Sequence, residues 1–467
     1  MAEMMELIEE LYFLKRDILS DDYDRALDRL AQEIPMQIHT VPSGAKIWTW
    51  TVPRKWTCHE AYLETLDGRR LLDYADHPLH VVSYSLPFEG EVSRDELLEH
   101  LHVHPHLPDA IPFIFKYYQP QWGLCAAQTL RDSLQDERYH VVIKSEFSPG
   151  AVGIGEVFVE GQRPDTFVLA AHLDHPAMVN DDLTGVVVGL EVMQALLAGP
   201  KPHFSYRFLV FPETLGSIAY LSQHDALIPS MQAGLFLEML GNDAPHALQR
   251  SFQPQSPSDR CLEAAFIAAE PAGYVGPYRT IIDNDERQFN APGVRIPMLS
   301  LSRVEDPASP ATRFRPYREY HSSLDTPEIV SQQRLAASRD LVLKLIQAFE
   351  QNYSQLKVET GEVSTQPSAQ SSQADEDDPF IVNHFKGEIF ASGYGIWVDY
   401  RDDEQGHKRL FEIMERCDGT RRPSDIAQEL DISSDLVWQV VDQLLAHELV
   451  SLSRQPQPSD PHLETAQ

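Results

Sequence analysis

The chain has 467 residues, more than one ordinary hydrophobic core can use, so two or three domains are expected. Its composition is globular, 42% hydrophobic and 23% charged, and no apolar run approaches the roughly 20 residues of a membrane helix. A formal net charge of −33 opposes phosphate backbones and anionic lipid surfaces, so neither nucleic acid nor membrane is an expected partner.

In chain order, the first residues (MAEMMELIEELYFLKRDIL) are acidic and amphipathic and lack the basic start and cleavage site of a secretory leader, so a cytoplasmic location is expected. Leu7, Leu11, Leu14 and Ile18 have helical spacing, which predicts one or two helices before Pro35. Residues 1–46 are read as the N-terminal helical part of a catalytic domain.

Residues 47–137 have the texture of a small β-domain with its own core. IWTWTVP, AYLETLDG, HVVSYSLPF and IPFIFKYY are β-rich pieces cut by turns, with one helix, SRDELLEHL, capped by Ser93. His100, His102, His104 and His106 alternate as a metal-binding strand face would, but Pro105 and Pro108 interrupt the stretch. Tyr117, Tyr118 and Trp122 can line a substrate pocket or fill the core of this small domain.

Residues 138–356 read as the catalytic core. Tyr139–Phe147 and Ile154–Val159 suggest a hairpin. Short runs apolar on both faces, at 166–171, 206–211, 233–239 and 297–301, alternate with helices after Gly185 and Gly216 and at Gln332–Tyr353. Such a pattern predicts a mixed, mostly parallel sheet covered by helices, in which ligands bind beyond the carboxyl ends of strands. Residues 357–379 are Ser/Gln/acid-rich and aperiodic, hence a flexible linker. Residues 380–455 predict a winged helix, with Ile426, Leu430, Val437, Val440, Val441 and Leu444 in its core, and 456–467 a polar tail. From Leu410 to Arg454 four arginines face nine acids, which favours a protein partner or homo-oligomer contact over DNA. Cys58, Cys125, Cys261 and Cys417 lie far apart with no CxxC pair, so neither disulfides nor a cysteine zinc site is indicated.

Five residues at strand ends or glycine turns form one pattern: His172 in AHLDH, Asp181 in VNDDLTG, Glu213 in FPETLGS, Glu238 in LEMLG and His321 in EYHSSLDTPE. Two imidazoles and three carboxylates can hold one or two divalent ions, while Asp174 can orient His172 through its second ring nitrogen. Each residue also has a purely structural alternative: Asp181 can cap a helix, and His172–Asp174 can be a satisfied loop pair.

In this order the motifs resemble those of the co-catalytic zinc aminopeptidases, a family that includes glutamate carboxypeptidase and glutaminyl cyclase relatives. The resemblance rests on His172-Leu173-Asp174, NDDLTG at 180–185, LEMLG at 237–241, Asn284-Asp285-Glu286 with Phe289 and Ile296-Pro297, and Tyr320-His321 with Asp325-Thr326. It implies a zinc-exopeptidase-like three-layer α/β/α sandwich and an aminopeptidase-like hydrolase of small peptides or aminoacyl amides. His172 and Glu238 would bind one zinc, His321 and Glu213 the other, with Asp181 between them. The family has two consecutive glutamates where this chain has Pro212-Glu213, so Glu213 can be catalytic base or ligand. If it is a ligand, Glu286 or Asp285 is left as base. An acidic pocket near Glu286 and Asp285 can also hold an α-ammonium group, and Tyr320 is placed with Asp285 in the substrate site. HVVSYSLPF, WGLC, PETLGSIAYL and DERQFNAPG resemble a branch labelled aminopeptidase-like or polysaccharide biosynthesis, which implies that the small β-domain is inserted in the catalytic domain and that a winged helix follows it, and which leaves an amidase or deacylase of an amino sugar, or a degenerate scaffold, as alternatives.

Overall fold

Runs such as TFVLAAH and SYRFLVF cannot leave either face in water, and both become central strands of one eight-stranded sheet. The computed structural model describes residues 3–119, 121–361, 378–398 and 403–457. Across the sheet the strands run Gln37–Pro42, Ala151–Val159, Ser205–Phe211, Thr166–His172, Met231–Glu238, Met298–Arg303, His246–Gln249 and Tyr274–Gly276. The four strands from Ser205–Phe211 to Met298–Arg303 are parallel neighbours; the outer pairings are antiparallel except the last.

Alternation along one strand makes the three layers. Phe167, Leu169 and Ala171 enter a core under the helices Met4–Leu11, Asp21–Leu30, Leu183–Ala198, Pro257–Ala269 and Gln332–Gly361. Val168 and Ala170 enter a second core with the helix Leu215–Gln223 and the inserted β-rich region. The fold is thus an α/β sandwich with a mixed sheet. Among the described residues no helix is long and apolar enough to cross a membrane. All four cysteines are buried and free.

The expected hairpin of residues 139–147 and 154–159 does not form. Arg138–Ser148 instead lies between Lys55–Thr65 and Phe88–Ser93 in a separate four-stranded sheet, while Ala151–Val159 pairs with Gln37–Pro42 and Ser205–Phe211. Pro149 and Gly150 redirect the chain between sheets, so the β-region expected to end at 137 continues through Ser148. Two other expected strands are largely extended loops: residues 81–84 and 111–117 make only isolated bridges, Val81 to Leu124, Ser83 to Phe115 and Pro112 to Ser322. Pro112, without an N–H, cannot sustain a ladder. The Ser93 cap is present, its hydroxyl accepting the Glu96 N–H at 3.2 Å. His100 stacks on Trp122 at 3.9 Å, and His104 Nδ1 accepts the N–H groups of His106 and Leu107, so the alternating histidines share no strand face.

The long helix extends to Gly361, into the start of the expected linker; residues 362–377 of that linker, and 458–467 of the tail, lie outside the described residues. After it, Phe380–Asn383 pairs antiparallel with Val450–Ser453. The helices Glu404–Arg416, Pro423–Leu430 and Ser434–Ala446 pack around Ile381, Phe411, Ile426, Val437, Val441 and Leu444.

One buried cation ties the N-terminal segment to the sheet. Arg16 is fully buried and donates to the Leu173 and Met178 carbonyls, the latter at 2.9 Å, at both ends of the loop after Thr166–His172. Burial pulls its pKa down to about 10, which leaves it charged at neutral pH. Each charge-assisted hydrogen bond contributes about 1.5–3 kcal/mol, so Arg16→Met is expected to cost about 3 kcal/mol in urea unfolding. A loss below roughly 1 kcal/mol would mean the loop holds itself.

Candidate metal centre

The site lies where the parallel strands end. His172 is the last residue of its strand, and the chain then turns through Asp174, His175 and Pro176. Asp181 stands before the helix Leu183–Ala198, whose cap Asp182 accepts the N–H of Gly185 at 2.9 Å and of Met239 at 3.0 Å. A methyl group at Gly185 would overlap the Leu237 carbonyl and the Asp182 carboxylate, so glycine permits this close approach. The Asp325 carboxylate fixes the same turn. It takes the N–H of Asn180 at 2.8 Å and of Asp181 at 3.1 Å, together with the Tyr317 hydroxyl at 2.7 Å. Glu238 closes its strand, and Glu213 follows Ser205–Phe211 with its N–H on Asp174 Oδ1 at 2.6 Å. The inserted region reaches the site too: the Phe113 N–H donates to the His321 carbonyl at 2.8 Å, and the Phe113 ring meets His175 and His321 edge-on.

These loops converge on Asp181. His172 Nε2 is 3.2 Å from Asp181 Oδ1 and 3.6 Å from Glu238 Oε1, and His321 Nε2 is 3.1 Å from Asp181 Oδ2. A histidine outside the sequence pattern joins them: His175 Nδ1 lies 3.8 Å from Asp181 Oδ1, and its Nε2 lies 3.5 Å from Glu213 Oε2. Three sets bring their donor atoms within 4.8 Å of one another: His172–Asp181–Glu238, His175–Asp181–His321 and His172–Asp174–His175. Tetrahedral zinc with bonds of about 2.0 Å separates neighbouring ligand atoms by roughly 3.3 Å, close to the first distances.

The polar atoms test that fit. Both carboxylate oxygens of Asp181, Oε2 of Glu238 and Nε2 of His321 are buried with no hydrogen-bond partner among the described residues. An unsatisfied buried polar atom costs about 1–3 kcal/mol, more when charged, so these atoms suit a cation between them. Burial opposes charge on His172, but Asp174, Asp181 and Glu238 outweigh it and hold the imidazole well above its ordinary pKa. Burial likewise opposes charge on Asp181, yet His175, His172 and His321 keep it well below the usual carboxylate range. His175 is pulled down to about 4, chiefly by burial, and is a neutral imidazole in the form that binds metals. Burial, then Asp174, pushes Glu213 up to about 7.

The other expected residues are placed less centrally. Asp174 lies 3.7 Å from His172 Nδ1 besides holding Glu213. Asp285 accepts the Thr214 N–H at 2.9 Å and the Ser217 hydroxyl, so it fixes the Glu213 turn. Glu286 faces Gln249 Nε2 at 3.1 Å and the Asn284 N–H, and belongs to none of the three ligand sets. Tyr320 stacks on His321 with ring centres 3.9 Å apart. Asn284 donates to Glu238 Oε1 at 2.6 Å, a contact with no sequence signal. His175 did have one: it directly follows Asp174 in the loop that supplies His172, in a chain that lacks a second glutamate beside Glu213.

Comparison with known proteins supplies the kinship. A Clostridium acetobutylicum protein named "Putative polysaccharide biosynthesis protein with aminopeptidase-like domain" is 32% identical over 357 residues, spanning 76% of this chain and 80% of that one. A crystal structure described as a "putative peptidase" from the same species matches with a TM-score of 0.69 at 28% identity, covering 96% of both chains. The zinc aminopeptidase BSAP of Bacillus subtilis matches over 74% of this chain and 93% of its own, with a TM-score of 0.54 and 14% identity, a likeness of fold alone. Residues 5–352 match the model of a domain of unknown function, DUF4910. With three quarters of its length accounted for in this way, the chain belongs to the DUF4910 family and has a peptidase-like fold.

Proposed function

We propose that the protein is a divalent-metal-dependent, aminopeptidase-like amide hydrolase, with zinc as the expected ion. The observation that carries this reading is the convergence of His172, His175, His321 and Glu238 on Asp181, whose two buried carboxylate oxygens have no hydrogen-bond partner among the described residues. In it His172, Asp181 and Glu238 would hold one ion, and His175, Asp181 and His321 would hold a second. When bound, such ions supply Lewis-acid activation of water and of a carbonyl. Glu213, 27% exposed and 3.5 Å from His175, takes a proton from water and returns it to the leaving amine. Asp174 orients His172 and holds the Glu213 backbone, while Tyr320 supports His321 by stacking. The substrates expected are small peptides or aminoacyl amides in the cytoplasm. A protein partner or a second copy of the chain is expected through the C-terminal helices, which form a winged helix in this reading.

The printed name of the Clostridium relative favours a second reading, an amidase or deacylase of an amino sugar or related biosynthetic intermediate. Purified protein is expected to carry one or two equivalents of zinc by elemental analysis and to lose turnover on chelation and regain it with zinc. Aminoacyl amides and N-acyl amino sugars, tested side by side, separate the two readings. Less than about 0.3 metal equivalents, with no release from either panel, would identify a degenerate scaffold instead.

A further inference from the structure

The segment behind the metal-centre carboxylates is itself held by the C-terminal unit. Asn284 touches Glu238, and Asp285 holds the Thr214 N–H, one residue from Glu213. Asp283, just before them, is gripped by Arg279, with Nε at 2.8 Å from Oδ1 and Nη2 at 3.0 Å from Oδ2. Arg279 is 3% exposed, donates to Glu415 Oε1 at 2.6 Å and lies 3.8 Å from Glu388 Oε2. At the far end of the segment Arg287 donates to Thr214 Oγ1 at 3.0 Å, with its Nε 3.6 Å from Glu388 Oε2.

Glu388 and Glu415 both come from the C-terminal unit. Arg279 and Arg287 therefore face Asp283 from their own domain and two carboxylates from another. Without the latter, the buried Arg279 guanidinium and the largely covered one of Arg287, 15% exposed, would share Asp283, and an uncompensated buried charge is costly enough to force a rearrangement. Both carboxylate residues are fixed in turn. The Glu388 N–H donates to Gln288 Oε1 at 2.9 Å, its carbonyl accepts from Trp50 Nε1 at 2.8 Å, and the Glu415 carbonyl accepts from Arg295 Nη2 at 2.5 Å.

We propose that the C-terminal unit is a positioning element for the metal centre of its own chain, with Glu388 and Glu415 setting Asn284 and Asp285 through Arg279 and Arg287. The proposal rests on the metal-centre reading and gives the C-terminal helices work inside the molecule. Direct hydrogen-bond partners of metal ligands, as Asn284 is of Glu238, typically alter metal affinity by about 10–100-fold, and displacing Asn284 through the arginines is expected to act at the lower end of that range.

The test uses the full chain with Glu388→Gln and Glu415→Gln, the charge-keeping Glu415→Asp, and Lys386→Ala. The last breaks an exposed ion pair of the same seam, Lys386 with Asp225 at 2.7 Å, outside the Arg279–Arg287 network. Zinc affinity is read by competition with a chromogenic chelator, and amide hydrogen exchange over residues 283–287 is read in metal-free protein. Both glutamine variants are expected to bind zinc about tenfold more weakly and to exchange at least about tenfold faster in that segment. Glu415→Asp should recover part of both effects, and Lys386→Ala should leave both unchanged. Glutamine variants with wild-type affinity and exchange overturn the proposal, as does faster exchange spread evenly over the core. If the wild type binds no zinc, the metal-centre reading fails and the exchange result alone decides on positioning. Should Glu415→Gln not fold, Glu388→Gln carries both readouts.

Discussion

Asp181→Ala is expected to leave a folded protein that retains less than about 0.3 equivalents of zinc and has no turnover above background. The reason is geometric. Asp181 belongs to both the His172–Glu238 set and the His175–His321 set, with Oδ1 facing one pair of imidazoles and Oδ2 facing His321. No other described carboxylate lies between the three histidines in this way; Glu238 meets only His172, and Glu213 only His175. The fold should survive because the Asp181 carboxylate supports nothing but the imidazoles. The turn is held by its backbone N–H on Asp325 and by the Asp182 side chain on Gly185 and Met239. Thermal melts with and without chelator give the control. A wild-type centre that binds zinc loses Tm on chelation, whereas the variant should melt at the same temperature either way. A variant with full zinc content, or with wild-type rates, would remove Asp181 from the centre and the proposed function with it.

The central sheet was legible because a strand buried on both faces must be almost wholly apolar, and the stretches 166–171, 206–211 and 233–237 nearly are, with Arg207 the one charged residue inside them. Pairing was not. Arg138–Ser148 and Ala151–Val159 are adjacent in sequence, so a hairpin is the economical expectation. Their partners, Lys55–Thr65 and Gln37–Pro42, are set by contacts far away in the chain that local pattern cannot carry. The last two strands on one side of the sheet, His246–Gln249 and Tyr274–Gly276, were missed for a different reason: at four and three residues they are too short to show a period. In the candidate centre, sequence located the residues at strand ends, because a carboxylate or imidazole closing an apolar run is conspicuous. It did not find His175, which shares a loop with His172 and Asp174 and so reads as part of their motif. Asn284 and Asp325 stand in motifs the sequence displays, but their roles were not legible there, being hydrogen bonds across the fold to Glu238 and to the Asn180–Asp181 backbone.

Glu213→Gln and His175→Ala are expected to fail in opposite ways. The missing second glutamate leaves one ligand position to fill, and two residues compete for it, 3.5 Å apart. His175 is 1% exposed and is kept neutral by burial, a form that can bind an ion without first losing a proton. Glu213 is 27% exposed, and burial raises its pKa to about 7, where a carboxylate can both take and return a proton. The alanine variant should therefore lose about one of two zinc equivalents. The glutamine variant should keep its zinc while kcat falls about 10²–10⁴-fold, the usual range for removing a general base, with KM little changed. The exchange of roles has a clear signature. If Glu213 is the ligand, Glu213→Gln loses metal and His175→Ala keeps it. The base must then be sought among other carboxylates, and Asp285 is the nearer choice, because Glu286 is turned toward Gln249.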